Sequence, residues 1–321
     1  MTATFKIDET HIFGNQAPLY FDNSILDLFQ MCKTGATLHI IPENLFMFPP
    51  MLLDYMEERK INTIFWVPSA LCFVANVGVL SNHPMPSLCK VLFCGEVMPN
   101  KQLNIWRKAC PNALYANLYG PTEIADVCAY YIIDRAFADD EPLPIGFPCK
   151  NTDLLVLDEH DCLVPDRNIG ELCVRGTCLA YGYYRNPEKT SAAFVQNPLN
   201  TNYPEMIYRT GDLVRYNELG ELIYVSRKDF QIKHMGYRIE LGEIETAVSA
   251  LSGVTMNCCL YNTEKSEIVL FYTGEAQSTD ILAALKKALP AYMLPQRIEK
   301  LEMMPLNLNG KIDRTALKER L

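Results

Sequence analysis

The first 130 residues alternate between segments of helical and of strand period. That alternation restricts the chain to an α/β arrangement built on a mostly parallel sheet. Ser24 to Lys33 places Ile25, Leu28, Phe29 and Cys32 on one helical face, with Gly35 as its stop. Leu38 to Ile41 is a short apolar strand, Pro49 and Pro50 open a helix through Lys60, and Ile61 to Val67 is the next strand. Leu88 to Cys94 and Val127 to Ile133 are further strands, with a helix over Asn100 to Ala109 after the first of them. Sheets of this kind take ligands at the carboxyl ends of their strands. Two strings fall there, Cys94-Gly95-Glu96 and Tyr119-Gly120-Pro121-Thr122-Glu123.

From about Asp134 to Val225 the pattern changes to short strands divided by turns. Asp153 to Leu157, Gly170 to Arg175, Asp212 to Tyr216 and Glu221 to Val225 alternate as a small barrel or sandwich would. The tail reads as a compact α+β unit. A strand at Gln231 to Lys233 precedes a helix over Gly242 to Leu251, whose stripe is Ile244, Ala247, Val248 and Leu251 and whose end is Gly253. Strands at Thr255 to Leu260 and Glu267 to Tyr272 and a helix at Thr279 to Leu289 follow. Charge marks the same boundary. From Arg227 onward there are 13 Lys and Arg against 12 Asp and Glu, so the acidic excess of the chain, net −9, lies before that point. The expected division is 1–226, split into an α/β part (1–134) and a β part (135–226), and a C-terminal domain over 227–321.

The acidic balance argues against a nucleic-acid surface. No apolar run approaches the roughly 18 residues of a membrane span, and Lys6, Asp8 and Glu9 are out of place in a signal peptide. The 12 cysteines form no C-x-x-C pair, and Cys72, Cys89, Cys94, Cys258 and Cys259 sit in apolar segments. Such cysteines behave as small buried hydrophobes in a reducing compartment, so a cytoplasmic protein is expected. Cys173 and Cys178 have a loose metal-like spacing but no second pair.

Four strings carry chemistry: NLYGPTE at Asn117 to Glu123, YRTGDL at Tyr208 to Leu213, KDFQIKHMGYRIELGEIE at Lys228 to Glu245, and NGKIDR at Asn309 to Arg314. Gly120 and Pro121 force a tight turn that projects a hydroxyl and a carboxylate, a pair suited to phosphate and Mg²⁺. The Asp212 carboxylate offers two acceptor oxygens, which match a vicinal diol. Lys311 read by itself is a solvated surface charge.

Together and in this order the strings resemble the adenylate-forming (AMP-binding) superfamily, which includes acyl-CoA synthetases, luciferases and the adenylation domains of peptide synthetases. The resemblance runs over almost the whole chain and implies ATP and Mg²⁺ as cofactors. It implies that Tyr119 stacks on adenine, Thr122 touches the α-phosphate and Glu123 holds the metal. It puts Gly95, Glu96, Asn117 and Gly120 among the nucleotide-binding positions, with Asp212 on the ribose and Arg227 on ribose or phosphate. Ser226 stands where the family has glycine. Lys311 becomes the catalytic lysine bridging substrate carboxylate and α-phosphate. A carboxylate attacking a phosphate is an anion approaching an anion, and such a step requires a fixed cation. Asp229 matches the hinge about which a C-terminal lid rotates. Gly236 matches the opposite face of that lid, expected to line a tunnel for a phosphopantetheine thiol.

Phe21-Asp22-Asn23-Ser24 separates amino-acid activators from acyl-CoA synthetases within this resemblance. Asp22 precedes a helix, where an N-cap would explain it. In amino-acid-activating members the equivalent aspartate binds the substrate's α-ammonium. Asn15-Gln16-Ala17-Pro18, Phe21-Asp22 and Leu92 to Pro99 look most like D-alanine–carrier protein ligases, in which a cysteine at the place of Cys94 narrows the pocket around the alanine methyl. Leu118 and Asp126 fall at the same pocket, where an apolar residue would suit alanine better; an acid at Asp126 either serves a polar amino acid or points away into solvent. The implied activity is ATP-dependent activation of an amino acid, D-alanine first, and its transfer to the thiol of a phosphopantetheinylated carrier protein. The alternatives are a peptide-synthetase adenylation domain for another amino acid, or a non-catalytic carrier-binding fragment. No Ser/Thr/Gly-rich phosphate loop is found in the sequence, and a C-terminal fragment with weak adenylation is expected. Docking of an acidic carrier is expected near Arg238, Lys265, Lys286 and Lys287.

Overall fold

A computed structural model describes residues 1–165, 167–228, 231–234, 237–262, 265 and 267–321, the side chains of 231, 233, 234, 237 and 238 apart. Its main body is a single path of hydrogen-bonded strands. β1 (Ile12–Asn15), β2 (Thr37–Ile40), β3 (Thr63–Trp66), β4 (Lys90–Cys94) and β5 (Leu114–Tyr119) run parallel in the spatial order β2-β1-β3-β4-β5. Helices over Asn23–Thr34, Pro49–Glu58, Pro68–Val77 and Asn100–Ala109 connect them, as parallel pairing requires. The core between sheet and helices is apolar and closed. Trp66, Trp106, Leu52, Leu53 and Met56 are fully buried, and both indoles find backbone acceptors, Gly14 O at 2.8 Å and Leu71 O at 2.9 Å.

The later strands continue this sheet. β6 (Ala129–Ile132) pairs antiparallel with β5, and β7 (Pro144–Pro148) pairs with β6 through Ala129↔Pro148 and Tyr130↔Phe147. β8 (Thr152–Leu157), β9 (Gly170–Gly176), β10 (Phe194–Gln196), β11 (Met206–Tyr216) and β12 (Leu222–Arg227) follow. They extend the path as β7-β12-β11-β9-β8, with β10 on β11. The strands expected to form a small barrel or sandwich are thus hydrogen-bonded to the parallel sheet, and β5 lies in the middle of the path.

After β12 a short hairpin of β13 (Gln231–His234) and β14 (Tyr237–Glu240) leads into a helix, Leu241–Ser249. A second sheet holds β15 (Val254–Asn262) antiparallel to β16 (Glu267–Gly274) and β17 (Arg297–Lys300) parallel to it. Ile244, Val248, Leu270 and Tyr272 form the core on one face of this sheet, and Cys258, Val269, Phe271 and Leu317 form it on the other. Arg314 clamps Glu245 through two contacts of 2.8 and 3.0 Å and also donates to Cys259 O, fixing the chain just beyond Lys311.

The helix Asn23–Thr34 departs from its expected orientation. Ile25, Phe29 and Cys32, the residues of its apolar stripe, lie outward, and Leu28 is half-buried. The buried face is Asn23, Ser24, Leu26, Asp27 and Gln30. Burial of polar side chains is costly unless they are bonded or needed, and here they back onto the carboxyl ends of the strands. No helix among the described residues is long and apolar enough to cross a membrane. All 12 cysteines are free thiols.

Candidate active site

The carboxyl ends of β4 and β5 are where the candidate residues meet. At the end of β5, Tyr119 leads into a turn through Gly120 and Pro121 and a single 3₁₀ turn over Thr122–Ile124. Gly120 is required by close approach. A Cβ there would stand 2.2 Å from the carbonyl oxygen of Asp126 and 2.8 Å from the Val127 backbone, well inside contact distance. The chain leaves the turn through two residues in the left-handed region, Ala125 (φ 60°) and Asp126 (φ 82°), which folds Asp126 back under Gly120. Aspartate is among the few residues with a side chain that tolerate this conformation.

Asp22 stands at the N-terminus of Asn23–Thr34 but does not cap it. Its carboxylate turns toward the β5 turn and accepts a 2.6 Å hydrogen bond from the Thr122 hydroxyl. Capping, which would have explained Asp22 without function, is therefore not its role. Cys94 ends β4, fully buried in an apolar cluster with Leu26, Phe65, Leu92 and Leu118. Burial, reinforced by nearby Asp126, holds its thiol far above the ordinary range, so Cys94 is a neutral wall rather than a nucleophile.

Lys311 enters from the tail. The Asn307 side chain accepts from its amide, and Gly310 turns the chain with φ 75°. Ser69 donates to Gly310 O at 3.0 Å, tying this loop to the start of the helix Pro68–Val77. The Lys311 ammonium lies across Gly95, 3.3 Å from where a Cβ on that glycine would stand, and 5.8 Å from the centre of the Phe21 ring. Any side chain at Gly95, whose φ is 95°, would meet the lysine. Glu96 accepts from the Ser69 amide at 2.8 Å, and burial raises its carboxyl above the ordinary range, with Ser69 and Lys311 opposing.

A second group lies on the β11–β12 side. The Tyr119 hydroxyl donates to Asp212 Oδ2, while Arg227 donates to Asp212 Oδ1 at 2.9 Å and to Thr210 O at 2.7 Å. Burial, and then the Asp212 charge, push the Tyr119 phenol far upward, so it remains a donor. A carboxylate is an acceptor with two oxygens and about four lone-pair sites, a chemistry that suits a ribose diol. Glu123 is half-buried, with Oε1 held by the Tyr183 hydroxyl at 2.6 Å. Its other oxygen suits an Mg²⁺ bound through one carboxylate and substrate phosphates. Among the described residues no group of three or more His, Cys, Asp and Glu could hold a metal without such help.

The sequence candidates Asp22, Cys94, Gly95, Glu96, Thr122, Asp126 and Lys311 gather around one cleft, and Tyr119, Asp212 and Arg227 form its neighbour. Asn117 turns away, donating to Pro144 O at 2.8 Å to pin β5 to β7. Leu118 is part of the apolar wall. Asp229 and Gly236 lie outside the described residues. Ser226 is buried and donates to Glu240, tethering β12 to the helix that follows. Three participants have no counterpart among the candidates: Ser69, Tyr183 and Asp27. A Pro-Ser pair opening a helix could have pointed to Ser69; the other two carry no local signal.

Asp27 is fully buried, with Oδ2 accepting from Asn15 at 3.1 Å and Oδ1 without a partner. Burial raises its carboxyl to about 8, against the opposing Asn15 bond. An unfolded aspartate titrates near 4, so between about pH 4 and 8 the folded chain holds a proton that the unfolded chain has lost. Stability therefore falls as pH rises through that window. Asp27→Asn is expected to raise the urea midpoint at pH 8 and leave it unchanged at pH 4. A parallel shift at both values would refute the buried-proton account.

A family model described as AMP-binding enzyme matches residues 1–184. The chain is 36% identical, over 94% of its length, to the L-proline–[L-prolyl-carrier protein] ligase of Streptomyces coelicolor, and 31% identical, over 99%, to the D-alanine–D-alanyl carrier protein ligase of Bacillus licheniformis. It spans 57% and 65% of those two relatives. Among solved structures it is similar to holo-AB3403, a four-domain nonribosomal peptide synthetase bound to AMP and glycine. The TM-score is 0.84 at 30% identity, covering 98% of this chain and 24% of that one.

Proposed function

The chain belongs to the AMP-binding enzyme family, and from that premise we propose that it activates an α-amino acid with ATP and passes it to a carrier-protein thiol. The observation that carries this reading is the pairing of Asp22 and Lys311 at one cleft. A carboxylate fixed by Thr122 and an ammonium fixed over Gly95 answer the two charged ends of an amino acid.

In the first step the substrate carboxylate oxygen bonds to the α-phosphorus of ATP and pyrophosphate leaves. In the second, a thiolate sulfur bonds to the acyl carbon of the aminoacyl-adenylate and AMP leaves. Lys311 lowers the repulsion between carboxylate and phosphate in the first step. Asp212 holds the ribose, Tyr119 flanks the base and Arg227 orients Asp212. Thr122 stands beside the α-phosphate. Mg²⁺ held by Glu123 would supply countercharge to the phosphates. Residues 227–321 act as the lid. With Lys311 in the cleft the lid is posed for adenylation, and transfer requires it to turn about Asp229 and present Gly236. An acidic carrier would dock on Lys265, Lys286, Lys287 and Arg238, in the cytoplasm.

The D-alanine assignment draws support from Cys94 and from the D-alanine ligase relative. A prolyl ligase and peptide synthetases are at least as similar, and they support the broader reading of an amino acid in general. The test is ATP–pyrophosphate exchange by the natural polypeptide in which this chain occurs, across D-alanine, L-alanine, proline and polar amino acids. Exchange dependent on one amino acid supports the reading. Exchange driven by a fatty acid, or by no acid at all, refutes it.

A further inference from the structure

With Asp22 and Lys311 assigned to the α-ammonium and α-carboxylate, the cleft still holds buried carboxyl groups that no substrate atom has answered. Asp126 is 4% exposed, and its Oδ1 has no hydrogen-bond partner among the described residues. Asp27 is 0% exposed, also with one oxygen unpartnered. Both lie in the same small region: Asp126 follows the turn whose Thr122 binds Asp22, Asp27 is on the helix that Asp22 precedes, and the charges of Asp22 and Asp27 are felt at Asp126. Two orphaned buried carboxyl oxygens are expensive features, because each has given up its water without gaining a partner. Nothing in the surrounding fold uses them. The helix Asn23–Thr34 even turns its apolar stripe outward to place Asp27 here.

We propose that the amino acid selected by this site is a diamino acid, whose side-chain ammonium is received by Asp126 with Asp27 behind it. This rests on the amino-acid-activation reading. Leu118, Leu92 and Cys94 offer an apolar wall along which the methylenes of such a side chain can lie. Burial raises the Asp126 carboxyl to about 8, with Asp22 and Asp27 adding to the rise, so the empty site is largely protonated at neutral pH. An arriving ammonium supplies the countercharge that lets it ionise. A hydroxyl, with a single proton to donate, would satisfy one carboxyl and leave the other oxygen orphaned. A methyl group, as in alanine, would leave both acids orphaned.

The test uses the full chain and non-hydrolysable aminoacyl-adenylate analogues, the aminoacyl sulfamates of adenosine, titrated by calorimetry beside AMP. The lysyl analogue is expected to bind about tenfold or more tightly than the norleucyl analogue, or the ornithyl analogue than the norvalyl, each control having the same number of side-chain carbons without the ammonium. Asp126→Asn should erase that ratio in a variant that still takes up AMP, asparagine being tolerant of the left-handed backbone there. The ratio in the unmodified chain decides the matter even if the variant does not fold. Equal binding of the basic and apolar analogues overturns the proposal, as does preference for the alanyl or glutaminyl analogue. Retention of the ratio in Asp126→Asn also overturns it. Failure to bind AMP would refute the amino-acid-activation reading itself, and this inference with it.

Discussion

Lys311→Ala is expected to slow amino-acid-dependent adenylate formation about 10²-fold or more, the loss seen when one preorganised charge or donor is removed from developing anionic charge. The structure explains why no neighbour can substitute. The ammonium lies across Gly95, at the end of β4, in a region otherwise occupied by Asp22, Glu96 and Asp126. Among the described residues, removing it leaves no cation there to offset the charges of substrate carboxylate and α-phosphate. The measurement is single-turnover adenylate formation by the natural polypeptide, with transfer from a presynthesised aminoacyl-adenylate assayed beside it. Adenylation should fall while transfer persists, because the lysine acts before the acyl-phosphate bond exists. An equal loss in both steps would place Lys311 in general folding or docking. Unchanged adenylation would remove it from catalysis.

Asp212→Asn is expected to weaken AMP binding by about 10- to 100-fold, since hydrogen bonds to an ionised acceptor contribute roughly 1.5–3 kcal/mol each. The nucleotide lacking both ribose hydroxyls separates a ribose contact from a structural one. The unmodified chain should prefer AMP over 2′,3′-dideoxy-AMP, and the variant should bind the two alike. If the variant keeps the preference, the diol is held elsewhere and Asp212 serves only to fix Tyr119 and Arg227, which it bonds in the structure.

Much of this architecture is legible in the sequence where local pattern and burial agree. The helix Asn100–Ala109 falls at its expected limits, and Asn23–Thr34 and β4 lie within two residues of theirs. The turn after β5 could be located because glycine and proline mark it chemically. Three things were not legible. β1 is four residues, Ile-Phe-Gly-Asn, with no alternation to distinguish it from a loop. The helix Pro68–Val77 is apolar almost throughout, so periodicity has nothing to act on. The junction of β6 with β7 depends on a register between residues far from any local signal. The orientation of Asn23–Thr34 is the most instructive case. A rule that sends apolar stripes inward fails where a helix buries polar side chains instead, and Asp27 was hidden for that reason. Asp126 was noticed through its place after the turn, whereas its burial and its unpartnered oxygen are properties of the fold alone.

The return at Gly120 has a consequence beyond its geometry. Tyr119, proposed to flank the base, and Asp126, proposed to receive the side chain, are joined by one segment that folds back so closely at Gly120 that no Cβ fits against the Asp126 carbonyl. Two ligands that order the same segment share its entropic cost, and whichever arrives first lowers that cost for the other. AMP and amino acid should therefore raise each other's affinity by an identical factor, since coupling between sites is reciprocal. Independent titrations would mean that the segment is already rigid before either ligand arrives. With a shared segment the two ligands would fill the cleft as a pair, each alone binding more weakly than in the presence of the other.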